Sequence, residues 1–300
     1  MKAPQSLDPE EYFKGFVKRL DGLGYRKRRQ VLWRQVRPSL CRFLYKFRPF
    51  DPSNSTSVDR LRDILFQSRL RLSSPTEFND PYDMAAKIIV EGPRAAIRQK
   101  LDRLFRERGV KWEARKREVS RMMANLDSVV SRARISFAES TAAVGVCSFG
   151  GDPRSILMWS HYATDHRGVC LQFEVARDIA TFAQALPVNY SEDYPVLNWL
   201  NEAKGITVVL LRKYQGWAYE KERRIIVPES AAQLLYFRSA ALSGIIIGCS
   251  ASSATVEQLK DLVKERSSFG FPPLKIYRAF KHDSKYRLII NKDRTERGDI

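Results

Sequence analysis

No pair of cysteines in this chain stands at CxxC spacing. Cys41, Cys147, Cys170 and Cys249 lie far apart, which excludes a zinc ribbon or a thioredoxin-type motif and reads as free, buried thiols in a reducing compartment. Neither GxGxxG nor GxxxxGKS/T occurs, so a Rossmann dinucleotide site and a P-loop are both unsupported. The longest apolar run, around GIIIG, is far below the roughly 20 residues that cross a membrane. The opening MKAPQSLDPEEYFKGF has no apolar stretch of the secretory kind. Histidine is scarce, with 3 in 300 residues, and acid is outnumbered, 34 Asp plus Glu against 52 Lys plus Arg. A soluble, cytoplasmic protein is expected. Its net charge of +18 sets up a field that draws a polyanion such as nucleic acid, an acidic protein or an anionic membrane, or a phosphate-rich small molecule.

What is present is a foldable core. Hydrophobic residues make up 44%, with 16 Phe and 12 Tyr, which argues against disorder. Residues 1–40 read as a basic helical extension. Asp8, Pro9 and Glu11 supply an N-cap, a first-turn proline and a capping-box acid. GYRKRRQVLWRQVRPSL then carries an apolar stripe at Val31, Leu32 and Val36; this face either meets a phosphate backbone or packs on its own domain. Residues 41–300 read as a single α+β domain with a mixed or antiparallel sheet core. CRFLYKFRPF, AAVGVCSFG, GVCLQFEVA, ERRIIVP and SGIIIG are its main strands. TSVDRLRDILFQ is expected to be a helix opened by a Thr56–Asp59 capping box. A charged helical insertion is expected over about 94–135, with stripes at Ile97, Leu101, Leu104 and at Met122, Leu126, Val129. The helix after IIIGCSASS should bury Val256, Leu259, Leu262 and Val263 on one face.

Three stretches carry candidate chemistry. WSHYATDHRGVCLQF holds His161 and His166 with Cys170 close by, a weak metal-like cluster without the CxxC partner that a zinc finger needs; no metal is expected. GWAYEKERRIIV places Glu220 and Glu222 two apart, hence on one side if the strand begins there, with Arg223 and Arg224 beside them. Such a pair either stabilises developing positive charge or forms a salt-bridged strand edge. SSPTEFNDPYD gathers Ser73, Ser74, Asn79 and Asp80 between Phe78 and Tyr82, a turn-rich loop suited to the floor of a ligand pocket.

LYKFRPF, RLRLSSPTEFNDPYD, VCSFG with MWSHYATDHRGVCLQF, YEKERRIIV and IIIG, in that order over roughly residues 41–250, together resemble a bacterial family of unknown function, DUF2971. The order of strands and the late glutamate pair also resemble the ADP-ribosyltransferase fold. That resemblance implies NAD as the bound cofactor. It places Tyr45 or Arg48 at the first NAD-holding position, Ser73 or Ser74 at the second, and Glu222 at the catalytic position with Glu220 as its partner. His161 and Tyr162 have no fixed counterpart in that fold.

The leading expectation is therefore ADP-ribosyl transfer from NAD to a nucleic-acid or acidic protein acceptor. Arg48 or another basic group would hold the pyrophosphate, Tyr82 or Tyr162 would stack on nicotinamide, and Asn79 would line the pocket. Glu222 would stabilise the charged sugar, and Glu220 or His161 would take the acceptor's proton. Two alternatives stand beside it. One is a histidine-based or metal-assisted nuclease working through His161, His166 and Arg167. The other is a non-enzymatic nucleic-acid-binding module whose Arg-rich helices grip phosphates in a salt-dependent way.

Overall fold

The computed structural model describes residues 18–35 and 41–292; the Asp8–Glu11 capping pattern lies outside them. The chain is an α+β assembly built on two main sheets. Helix α1 (Tyr25–Gln35) precedes strand β1 (Phe43–Arg48), helix α2 (Ser55–Phe66) and the short β2 (Arg69–Arg71). After β3 (Lys87–Ile89) come the helices α3 (Arg94–Glu107), α4 (Trp112–Ala124) and α5 (Leu126–Ala142). Then follow β4 (Gly145–Phe149), α6 (Ile156–Tyr162), β5 (Val169–Glu174), the single turn α7 (Ile179–Phe182), β6 (Leu186–Pro187), β7 (Asn189–Ser191) and β8 (Val196–Asn198). The last part runs α8 (Glu202–Leu210), β9 (Arg212–Tyr214), β10 (Arg223–Val227), β11 (Leu234–Tyr236), β12 (Leu242–Ile247), α9 (Ser253–Ser268), β13 (Lys275–Lys281) and β14 (Leu288–Lys292).

The larger sheet has the order β1-β5-β12-β13-β14 and the smaller one β4-β10-β6. Every pairing within them is antiparallel except β12 with β13, whose parallel register is bridged by the crossover helix α9. β5 and β12 are apolar almost throughout because both of their faces are covered. Leu171, Phe173, Ile245 and Ile247 join the main core together with Val256, Leu259, Leu262 and Val263 of α9, as the helical spacing predicts. On the opposite face Cys170 and Ile246 pack with Trp159 of α6 and Phe47 of β1. The helices α3, α4 and α5 close a separate core around Ile97, Leu101, Met122, Val129 and Trp199. Helical structure thus continues past the expected end near 135 to Ala142, where Thr141 and Phe137 are still buried.

Two local expectations are corrected. The α2 cap is Asn54, not Thr56: the Asn54 side chain accepts from the Ser57 N–H, so the helix begins a residue before Thr56 and the acid at 59 plays no capping part. The strand in GWAYEKERRIIV begins at Arg223, while Gln215–Glu220 forms a 3₁₀ turn. The basic helix α1 packs on its own domain: Arg28 donates to the carbonyls of Leu20, Asp21, Leu23 and Ala176, and the Tyr25 hydroxyl donates to Glu174 at 2.7 Å. Arg26, Lys27 and Arg29 remain exposed.

The two main sheets meet where an isolated bridge joins Tyr45 to Gly150, and a second bridge ties Ser73, just past β2, to Val146 of β4. Tyr45 and Gly150 exchange both backbone hydrogen bonds, as do Ser73 and Val146. β1 and the residues after β2 are thereby brought to successive positions along β4, and β10 flanks β4 on its other edge. This junction positions the site.

Candidate active site

A cavity of about 410 Å³ lies over that junction. β1 contributes Tyr45, Lys46 and Phe47; the loop after β2 contributes Ser73, Phe78, Asn79 and Asp83; β4 contributes Val146 and Ser148; α6 contributes Met158, His161 and Tyr162. Lys213 of β9 reaches it together with Glu220 and Glu222. Of the residues expected from sequence, Tyr45, Ser73, Asn79, His161, Tyr162, Glu220 and Glu222 are therefore brought together. Arg48 and Tyr82 are not among the lining residues. Arg48 sits at the end of β1 opposite Val169, and Lys46 is the β1 cation that faces the cavity, its Nζ donating to the Ser148 carbonyl at 3.0 Å. Tyr82 is 65% exposed and faces a neighbouring cavity.

The floor is a buried ionic network, and most of it escapes sequence reasoning. Arg224 is fully buried. Its Nε donates to Glu222 Oε1 at 2.8 Å, and Nη2 donates to Glu222 Oε2 at 2.9 Å and to Asp83 Oδ2 at 2.5 Å. Lys213 Nζ donates to Glu220 Oε2 at 2.6 Å and to Glu222 Oε2 at 3.3 Å, and stands 3.6 Å from Asp83 Oδ2. The Tyr162 hydroxyl donates to Glu220 Oε1 at 2.7 Å. The Tyr190 hydroxyl accepts the Glu222 backbone N–H at 2.8 Å. The two glutamates converge on Lys213 by a route other than strand alternation: Lys221 between them is left-handed, at φ 47°, which turns the chain from the 3₁₀ turn into β10.

The two carboxylates have opposite protonation tendencies. Burial pushes Glu222 up, but the Arg224 charge and hydrogen bonds, with Lys213 and Ser148, outweigh it and bring the group down to about 2. Burial also pushes Glu220 up, the Glu222 charge adds to that, and the opposing pull of Lys213 and Tyr162 does not cancel it. Asp83 is raised by burial against the pull of Arg224 and Lys213. Burial disfavours the Lys213 ammonium, yet Glu222 and Glu220 more than compensate and it stays charged. Paired carboxylates pushed apart in this way suit separate acid–base and electrostatic roles. Because the Glu222 pKa is depressed in the fold, its stabilising contribution is complete above its ordinary 4.5 and is lost as pH falls from there through about 2. Acid titration of stability should show this loss, and Glu222→Gln should flatten the curve within that window.

The histidines separate. His161 is exposed at the cavity wall, its ring centroid 6.1 Å from Trp217 and 6.3 Å from Tyr219. His166 lines a different cavity. Its ring stacks on Trp159 at 12° and its Nε2 lies 3.1 Å from Ser160 Oγ. Thr164, Asp165 and His166 are consecutive left-handed residues, with φ of 48°, 50° and 68°. This turn is clamped by two glycines: a Cβ at Gly168 would fall on the Arg48 carbonyl oxygen, and one at Gly248 on the His166 carbonyl oxygen. Much of WSHYATDHRGVC is therefore a packed turn that seats α6 on the larger sheet. Gly248→Ala should destabilise the protein by about 1–3 kcal/mol through overpacking, read as a lowered denaturation midpoint. Among the described residues no group of three His, Cys, Asp or Glu side chains is placed to hold a metal ion, and no helix is long and apolar enough to cross a membrane.

Residues 158–225 match the family described as protein of unknown function, DUF2971. The matched segment runs from α6 into β10 and contains His161, Tyr162, Lys213, Glu220, Glu222 and Arg224, while Lys46 and Asp83 of the same site lie outside it. No curated protein and no solved structure matches the chain.

Proposed function

We propose that the protein cleaves the bond between nicotinamide and ribose in NAD and transfers the ADP-ribosyl group to an acceptor. One observation carries the reading. Glu220 and Glu222, driven to opposite protonation tendencies, line one cavity with Tyr45 and Ser73, and these four come from the chain segments where an ADP-ribosyltransferase-like arrangement would place them. The cavity volume lies within the range of small-molecule sites. Asp83 Oδ1, buried and without a hydrogen-bond partner, is an acceptor suited to a hydroxyl or amide N–H of such a ligand, and Lys46 joins Lys213 as a cation at the wall.

NAD supplies a pyridinium leaving group, so the glycosidic electron pair departs with nicotinamide as positive charge builds on the sugar. Glu222, held ionised by Arg224 and Lys213, stabilises that charge from a buried, preorganised position. The Tyr162 hydroxyl and Lys213 fix Glu220, which takes the proton released when the acceptor's lone pair forms the new bond. The strongly basic surface, including the exposed Arg26, Lys27 and Arg29, favours a nucleic-acid or acidic protein acceptor. A two-histidine nuclease is less well supported, because His161 and His166 line different cavities.

The test is nicotinamide release from NAD by the purified protein, alone and with RNA, DNA or cell extract, beside Glu222→Gln and His161→Ala. Release that requires Glu222 is expected. No release under any condition, or full turnover by Glu222→Gln, would overturn the reading.

A further inference from the structure

A second cavity, of about 360 Å³, shares Lys213 with the first. The FNDPYD loop forms part of both: Asn79 and Asp83 face the first, Asp80 and Tyr82 the second. Aromatic side chains dominate its wall. Tyr82, Tyr194 and Tyr214 are 65%, 48% and 51% exposed, and Trp217 lies beneath the Lys213 ammonium at 5.0 Å. Exposed aromatics concentrated around one cavity are surfaces awaiting a partner. The Tyr214 ring lies close over Gly216, where a Cβ would stand 2.6 Å from it.

Two polar atoms in this wall are unsatisfied. Asp80 is only 8% exposed; its Oδ1 accepts the Tyr82 N–H at 2.9 Å, and its Oδ2 is buried with no partner. Arg212 Nε is likewise buried without a partner. Leaving such groups unpaired is costly, so a ligand that satisfies both is favoured over one that satisfies either alone. A simple cation would suit Asp80 but meet Arg212. A simple anion would suit Arg212 but meet Asp80 and the exposed Glu192 and Asp193 at the rim. A flat heterocycle with a donor and an acceptor on its edge answers the acid, the guanidinium and the aromatic faces together.

We infer that the second cavity is a nucleobase subsite: the base lies against the Tyr82 and Trp217 rings, donates to Asp80 Oδ2 and accepts from Arg212. The acidic rim keeps phosphates out of the cavity itself, so the base enters and its backbone stays outside. The base comes from one of two sources, the adenine of NAD or a nucleotide of a nucleic-acid acceptor; the inference rests on the proposed transfer reaction only for that source.

Isothermal titration with adenosine, guanosine, cytidine and uridine tests it without turnover. At least one nucleoside should bind saturably, and Tyr82→Ala should weaken it by roughly ten-fold or more, as loss of a stacking aromatic does. Tyr82 is exposed, so this variant should keep its circular dichroism spectrum. Asp80→Asn keeps an oxygen for the Tyr82 N–H and replaces the acceptor at Oδ2 with a donor, so it should change the order of preference among the four. NAD that displaces the nucleoside identifies the base as its own adenine; NAD that binds alongside it identifies a base of the acceptor. Absence of saturable binding by all four, or binding that Tyr82→Ala leaves unchanged, overturns the inference. Either result can occur with nicotinamide release intact, so the two readings fail separately.

Discussion

Replacing Arg224 with methionine should lower the stability of the protein by about 3–5 kcal/mol, the cost of removing one partner from a buried ionic group. The guanidinium is fully buried and holds both oxygens of Glu222 as well as Asp83 and the Leu210 carbonyl. Without it, Glu220, Glu222 and Asp83 share the single ammonium of Lys213. Glu222 should then lose its main source of depression and titrate nearer to its ordinary range. Denaturant unfolding of the wild type, Arg224→Met and Arg224→Lys checks this. The lysine variant should fall between the others, because an ammonium restores charge but not the two-pronged geometry. A loss below about 1 kcal/mol would match a solvent-screened surface pair and would mean that water reaches the network.

The second large effect concerns Glu220. Glu220→Gln should reduce the proposed ADP-ribosyl transfer to acceptor by about 10²–10⁴-fold, the usual contribution of a positioned acid–base group, while the fold survives. The amide oxygen still accepts from Lys213 while its NH2 donates to the Tyr162 hydroxyl oxygen, and burial already raises the pKa of the carboxyl that it replaces. Glu222→Gln differs, because it removes the anion that Arg224 and Lys213 were built around and should weaken both turnover and stability. The comparison separates the two roles. If Glu220→Gln were to unfold the protein as far as Arg224→Met does, the carboxylate at 220 would be a structural charge and not a proton carrier.

The parts of the site that the sequence reveals are those whose partners are neighbours in the chain. Glu220 and Glu222 announce themselves by spacing, and Ser73, Asn79 and Tyr162 by the unusual loops around them. Lys213 does not, since one lysine in LRKYQGW looks like any other in a chain with 52 basic residues; only burial at 5% exposure between carboxylates distinguishes it. Asp83 and Arg224 are 141 positions apart, and no local pattern links them. Spacing also misled in two places. The Glu220–Glu222 pair suggested strand alternation, but a left-handed Lys221 sets the geometry. The Thr56–Asp59 pair suggested a capping box, but Asn54 already occupied that position. The apolar strands and the face of α9 were readable because burial on a sheet or helix leaves a periodic signature. The helices α3–α5 were visible as stripes, though their end at Ala142 was hidden because Phe137 and Thr141 extend the buried face toward β4.

Lys213 lines both cavities, and its ammonium meets the glutamates on one side while lying over Trp217 on the other. A ligand in either cavity therefore changes the surroundings of the same charge. If occupancy of one cavity alters affinity in the other, thermodynamic linkage requires the reverse effect to be equal in size. A molecule selected for what it does to the carboxylates would then also set how firmly the aromatic side is held, with no movement of the sheets between them.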